Sequence, residues 1–187
     1  MILTRHNPEW ATEFAVLREV YTSSLGNLIL RVEHVGSTAV PNLLAKPILD
    51  IDIVMPSYDV FPGILTRLRS LGYMHNGDQG IREREVFKPV DDMAPYTFPP
   101  RRWMSHHLYI CPAASLEFRR HLIFRDALRA NDILRQEYEK RKLDIVRRSG
   151  DDRKVYAKIK ETECRDFVER VLAAHRFRSA DVDWAVD

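Results

Sequence analysis

No apolar run in this chain approaches the roughly 20 residues that a membrane-spanning helix needs. The opening stretch, MILTRHNPEW, also lacks the apolar segment of a secretory signal. A membrane partner is therefore not expected, and the cytoplasm is the expected location. Cysteine is scarce: Cys111 and Cys164 are the only two, far apart and without C-x-x-C spacing. That pattern reads as two reduced, buried thiols rather than a disulfide framework. Charge of one sign is also lacking. Twenty-nine Lys and Arg stand against 27 Asp and Glu, for a net charge of +2, which is not the basic footprint of a dedicated DNA-binding domain. Nucleic acid is not expected as a partner, although basic side chains can still gather around a small anion. Internal repeats and low-complexity tracts are absent, and nothing in the sequence sets the oligomeric state.

What is present is the composition of a globular protein, 45% hydrophobic and 10% aromatic in 187 residues. The length suits one ordinary domain. We read residues 1–175 as that domain, with an α/β core over about 1–112, a helical portion over about 113–175, and a tail at 176–187.

Asn7-Pro8 opens a first helix, since Asn can cap and Pro is pre-set for the first helical position. Trp10, Phe14, Leu17 and Tyr21 then recur at helical spacing. Residues 28–35 (LILRVEHV) read as a strand running into Gly36-Ser37-Thr38. Residues 48–55 (ILDIDIVM) form the clearest strand: Leu49, Ile51, Ile53 and Met55 share one face, and Ile48, Asp50, Asp52 and Val54 the other. A second helix covers about 60–71. Residues 81–90 (IREREVFKPV) read as a polar strand, Pro95, Pro99 and Pro100 mark a long loop, and SHHLYIC resumes as a strand. Helices are expected at about 115–130, 132–148 and 152–174. Their stripes are Leu116/Ile123/Ala127, Leu134/Tyr138/Ile145 and Tyr156/Phe167/Val171, with a break at Ser149-Gly150.

Two carboxylates at i and i+2 of an apolar strand are costly. At about 5–6 Å and an effective dielectric near 20 they repel by roughly 3 kcal/mol, and burial adds desolvation. A divalent cation between them removes the conflict, and Mg²⁺ suits two carboxylates plus substrate phosphates. The alternative is a solvated strand face carrying two ordinary aspartates. Upstream, Gly36-Ser37-Thr38 follows a strand directly, so backbone N–H groups and two hydroxyls can be offered to an anion. A Gly-Ser turn alone is a weak signal; one followed by an Asp-x-Asp strand is far more specific.

The segment HVGSTAVPNLLAKPILDIDIVM resembles the GrpB family (UPF0157), a branch of the nucleotidyltransferase superfamily. The likeness extends to HNPEW, HHLYI, FRDALRAN, YEKRK and YAKIK, and so to nearly the whole chain. It implies a small mixed α/β sheet flanked by helices and a Gly36-Ser37 turn holding nucleotide phosphates. Asp50 and Asp52 would be the catalytic carboxylates, binding Mg²⁺ or Mn²⁺. Asn42 stands where the family usually has Gly; Asn tolerates positive φ, so the turn is expected to survive. The third acidic residue that the superfamily supplies from a later strand has no match in HHLYI. That strand offers His107, as a metal ligand or base, and Tyr109 in place of a second His.

Further candidates each carry a plainer alternative. Lys46 can meet a phosphate as a point charge, or be a solvated loop lysine. Arg82, Arg84 and Lys88 alternate along the polar strand, as a wall for a triphosphate or as the charges of an exposed edge. Arg82 and Lys88 remain candidates, and Arg84 is read as an edge charge. Arg125-Asp126 reads as an ion pair, and His34 as a packed histidine. Tyr156 and Lys160 share a helix face and can reach a base and a phosphate if the last helices fold over the cleft. The leading expectation is transfer of a nucleotidyl group from an NTP to a small-molecule acceptor. A non-catalytic nucleotide sensor and a metal-dependent phosphohydrolase are the alternatives.

Overall fold

The computed structural model describes residues 3–150 and 152–179. It is a mixed α/β structure. Helix α1 (Glu9–Leu25) leads into strand β1 (Arg31–Val35), then β2 (Leu49–Met55), α2 (Phe61–Ser70), β3 (Tyr73–His75), β4 (Glu85–Pro89) and β5 (His106–Pro112). Four helices close the described chain: α3 (Leu116–Ala130), α4 (Asp132–Ser149), α5 (Arg153–Glu163) and α6 (Arg165–Ser179). The strands form one five-stranded sheet in the order β1-β2-β5-β4-β3. Only the β2/β5 pair is parallel.

Alternation along β2 decides which side of the sheet is filled. Leu49, Ile51, Ile53 and Met55 are fully buried and pack with Leu108 and Ile110 of β5 against Trp10, Leu17, Tyr21 and Leu25 of α1 and Ile64 and Leu68 of α2. The opposite face carries Asp50 and Asp52, which register against His107 and Tyr109 of β5. Val35, Val54 and Cys111 on that face lie under Phe118 and Leu122 of α3. Both cysteines are free and buried. A third cluster joins the helical portion back to the start of the chain, packing Tyr138, Ile145, Tyr156, Phe167 and Val171 with Leu3, Val40 and Leu43. The helical portion therefore closes over the edge where β1 turns towards β2.

Local chemistry sets several boundaries. Asn7 Oδ1 accepts the Glu9 N–H at the start of α1, and Gly26 ends the helix at φ 55°. Asn131 and Asp152 cap α4 and α5 by accepting two N–H groups each, and Gly150 closes α4 in the left-handed region. Asn42 adopts φ 63°, the conformation expected of a residue standing in for Gly.

Other expectations need correction. The strand read over 28–35 begins only at Arg31, because residues 26–28 continue α1 as a 3-10 turn. The strand read over 81–90 shrinks to Glu85–Pro89: Gln79, Gly80 and Glu83 all have positive φ, which no strand accommodates. The helix read over 152–174 is two helices that part at Cys164. On α3 the stripe is set by Phe118, Leu122, Ala127 and Leu128, and Leu116 is exposed. Helix α6 runs to Ser179 rather than giving way at 176, and the remainder of the proposed tail lies outside the described residues. Among the described residues no helix is long and apolar enough to cross a membrane.

Candidate active site

Gly36 and Asp50 define the centre of the site. Gly36 has φ 69°, and a Cβ placed on it would lie 2.1 Å from Asp50 Oδ2. Only glycine allows both the turn and the close approach of backbone to carboxylate. Ser37 and Thr38 begin a short 3-10 turn. Thr38 is buried, its hydroxyl donating to the Ile48 carbonyl at 3.3 Å and lying 3.0 Å from His34 Nε2. Thr38 thus holds the turn, while Ser37 faces the cavity beside it. His34 stacks on Phe14; burial pushes its pKa down to about 4, the packed histidine expected.

A cavity of about 410 Å³ opens at this point, lined among others by Ser37, Lys46, Asp50, His107, Lys142 and Lys160. Tyr109, Tyr156 and Glu161 also line it. Lys46 Nζ sits 4.4 Å from the centre of the Tyr156 ring. Lys142, on α4, is buried to 1% exposure. Its ammonium donates to the Leu44 carbonyl and reaches Ser37 Oγ at 3.5 Å. Burial, and then Lys160, push the Lys142 pKa down to about 7. Burial, Lys160 and Arg153 also lower Lys46. Lys160 is raised instead, chiefly by Tyr138, with Tyr156 and Asp50 adding to it. Three lysines gather beside the Gly-Ser turn, and Lys160 disfavours the charge on both Lys46 and Lys142. A polyphosphate placed there would relieve that repulsion.

The two aspartates differ. Asp50 is partly exposed to the cavity, and its Oδ1 lies 2.9 Å from His107 Nδ1. Burial opposes its ionisation, but His107, Lys160 and His121 together hold the carboxyl below its usual range. Asp52 is fully buried. Its Oδ2 lies 2.7 Å from His121 Nδ1 on α3, and its Oδ1 has no hydrogen-bond partner. His121 Nε2 in turn lies 3.4 Å from Glu117 Oε1. Burial raises Asp52 and works against a charge on His121. The carboxylates of Asp52 and Glu117 outweigh it at the imidazole and lift His121 to about 10, so this pair keeps its proton through neutral pH.

Among the described residues no three His, Cys, Asp or Glu side chains form a ready-made metal cage. The donor set nonetheless fits Mg²⁺ or Mn²⁺, which are usually held by one or two carboxylates completed by substrate oxygens and water. Asp50 opens on the cavity, and the Asp52 Oδ1 is a buried acceptor without a partner among the described residues.

Of the residues singled out in the sequence, Gly36, Ser37, Lys46, Asp50, His107, Tyr156 and Lys160 come together here, with Asp52 next to them. Arg82 and Lys88 are exposed and do not line the cavity. Arg84, read as an edge charge, instead lies over the Tyr109 ring at 4.9 Å with a buried, unpaired Nε. Arg125 binds Asp126 as expected, but also Glu33 and the His34 carbonyl, and so braces the strand before the turn. Sequence reasoning missed Lys142 and His121. For Lys142 a signal existed, since it completes the segment Tyr138-x-x-x-Lys142 and sits on the stripe between Tyr138 and Ile145. For His121 nothing in the helix pattern distinguished it from a surface residue.

Residues 1–173 match the family model described as GrpB protein. A UPF0157 protein of Pseudomonas aeruginosa is 34% identical over 170 residues, which are 91% of this chain and 67% of that protein. The crystal structure of the conserved protein GrpB from Enterococcus faecalis matches with a TM-score of 0.76 at 26% identity, covering 94% of this chain and 99% of the other. Cid1, in complex with its short product ApU, matches with a TM-score of 0.53 at 14% identity, over 78% of this chain and 43% of Cid1. At that identity the likeness is one of fold alone.

Proposed function

This chain belongs to the GrpB family, and from that premise we propose that it is an Mg²⁺- or Mn²⁺-dependent nucleotidyltransferase acting from an NTP on a small acceptor. The observation that carries the reading is the convergence of Lys46, Lys142 and Lys160 on Ser37 and Asp50 in one cavity. A dedicated structural site has no use for three lysines around a Gly-Ser turn, whereas a triphosphate does.

In this reading the Gly36-Ser37 turn presents backbone N–H groups to the phosphates. Lys46 and Lys160 neutralise the outer oxygens, and Lys142, held by the Leu44 carbonyl, reaches the turn at Ser37. Tyr156 supplies a wall for the nucleoside. Asp50 and Asp52 would hold the divalent cation, whose chemistry is to offset phosphate charge and align the displacement. His107, beside Asp50, is placed to take a proton from an acceptor hydroxyl or amine.

A nucleotide sensor of the same fold is the second reading. It is favoured by β5, which puts His107, Tyr109 and Cys111 on the site face and no carboxylate. The test is release of pyrophosphate from each of four NTPs with Mg²⁺, in the presence of panels of alcohols, amines and sugars. Pyrophosphate release that depends on an acceptor supports transfer. Nucleotide binding without release supports the sensor, and inorganic phosphate released without any acceptor supports a phosphohydrolase.

A further inference from the structure

Asp52 presents an unusual arrangement for a carboxylate in a sheet. It is fully buried, one oxygen is bound to an imidazole, and the other has no hydrogen-bond partner among the described residues. The imidazole comes from α3, 69 residues along the chain. It is held at its far nitrogen by Glu117, one turn earlier on the same helix. Glu117 is itself bound by Arg120 at 3.3 Å. The first turn of α3 is fixed in place by Ser115, which is buried and accepts the Phe118 N–H. The chain Arg120–Glu117–His121–Asp52 therefore runs from the helix surface to a single buried oxygen.

We propose that His121 is a positioning residue that fixes the rotation of the Asp52 carboxylate, so that Oδ1 stays free and directed for the divalent cation. This rests on the metal reading given above for Asp50 and Asp52. An aspartate carboxylate is free to turn about its terminal bond, whose torsion has broad minima. A hydrogen bond to Oδ2 from a ring locked at its other end removes that freedom. Partners of this kind, one step removed from the metal, characteristically change its affinity by about 10- to 100-fold. The superfamily's third carboxylate is missing from β5, so the orientation of the remaining two matters more. His121 supplies orientation from a helix that the strand pattern does not reach.

The donor to Asp52 is Nδ1, and this makes the proposal testable. Asparagine carries its amide nitrogen close to the position of histidine Nδ1, whereas glutamine places it nearer Nε2. Both amides remove the imidazolium charge, as does alanine, so a difference among them reports the hydrogen bond and not the charge. The experiment is a Mn²⁺ titration, without nucleotide, followed by electron paramagnetic resonance of the free ion. It uses the full chain as wild type, Asp50→Asn, His121→Asn, His121→Gln and His121→Ala, with the melting temperature of each recorded. The expected result is that His121→Asn binds Mn²⁺ at least tenfold more tightly than His121→Gln and His121→Ala. Equal affinity across the three His121 variants would overturn the proposal. So would an order that simply follows their melting temperatures. If wild type and Asp50→Asn bind Mn²⁺ alike, the failure lies in the metal reading, and the proposal falls with it.

Discussion

Gly36 lies so close to Asp50 that a single added methyl group would come within 2.1 Å of the Asp50 Oδ2 atom. The turn and the carboxylate are thus one structural unit, and neither can be altered alone. Gly36→Ala combines a left-handed backbone penalty of about 1–2 kcal/mol with overpacking of about 1–3 kcal/mol. We expect a loss of at least about 2 kcal/mol of stability in urea unfolding, together with loss of NTP binding in whatever fraction remains folded.

The turn is also held by a histidine that must stay neutral. His34 has a folded pKa of about 4 against an ordinary 6.5. Between those values the unfolded chain binds more protons than the folded one, so stability is lost as pH falls from 6.5 towards 4. The loss attributable to His34 is up to about 3 kcal/mol. His34→Gln keeps a polar atom near Thr38 without titrating. Its unfolding free energy should be the flatter of the two across that range.

Lys142 gives a case of the same sign at alkaline pH. Its folded pKa of about 7 lies below the ordinary 10.5, so the unfolded chain binds more protons between those values and wild-type stability rises with pH there. The difference in unfolding free energy between wild type and Lys142→Met should therefore grow by more than about 1 kcal/mol from pH 7 to pH 10. Isothermal titration of NTP at pH 8, in two buffers of different ionisation enthalpy, should show proton uptake by wild type. Lys142→Met should show none.

The basic residues divide by position. Lys46→Ala and Lys160→Ala each remove a charged partner from the cavity and should weaken NTP binding by about 10- to 100-fold, the size of a charge-assisted contact of about 1.5–3 kcal/mol. Arg82 and Lys88 are exposed and lie outside the cavity, and equilibrium binding should place Arg82→Ala and Lys88→Ala within about twofold of wild type, since exposed charges contribute little.

Much of this arrangement is legible in the amino-acid sequence alone. Strand alternation alone separates Leu49, Ile51, Ile53 and Met55 from Asp50 and Asp52, and the structure buries the first four completely. The Gly-Ser turn and the aspartate strand lie within 17 residues of each other, and short separations carry the clearest patterns. What the sequence hid came from long range. Lys142 reaches Ser37 across 105 residues, so its place on the helix stripe hints at burial but not at what it meets. His121 meets Asp52 only because α3 crosses the sheet face, an outcome of packing that no local period encodes. Arg84 misled for a related reason: its strand lies inside the sheet, between β5 and β3, so a side chain on the Val86 face meets Tyr109 of β5 instead of solvent.

The central claim is that Asp50 holds a divalent cation together with a nucleotide on the Gly36-Ser37 turn. The most direct measurement is thermal stability against four NTPs, each with and without Mg²⁺, for wild type and Asp50→Asn. A nucleotide at 100 times its dissociation constant stabilises the folded state by about 2.7 kcal/mol, a readily measured shift. The account predicts a shift for at least one NTP that requires Mg²⁺ and disappears in Asp50→Asn. A shift of equal size in the mutant, or no shift with any NTP at millimolar concentration, would contradict it.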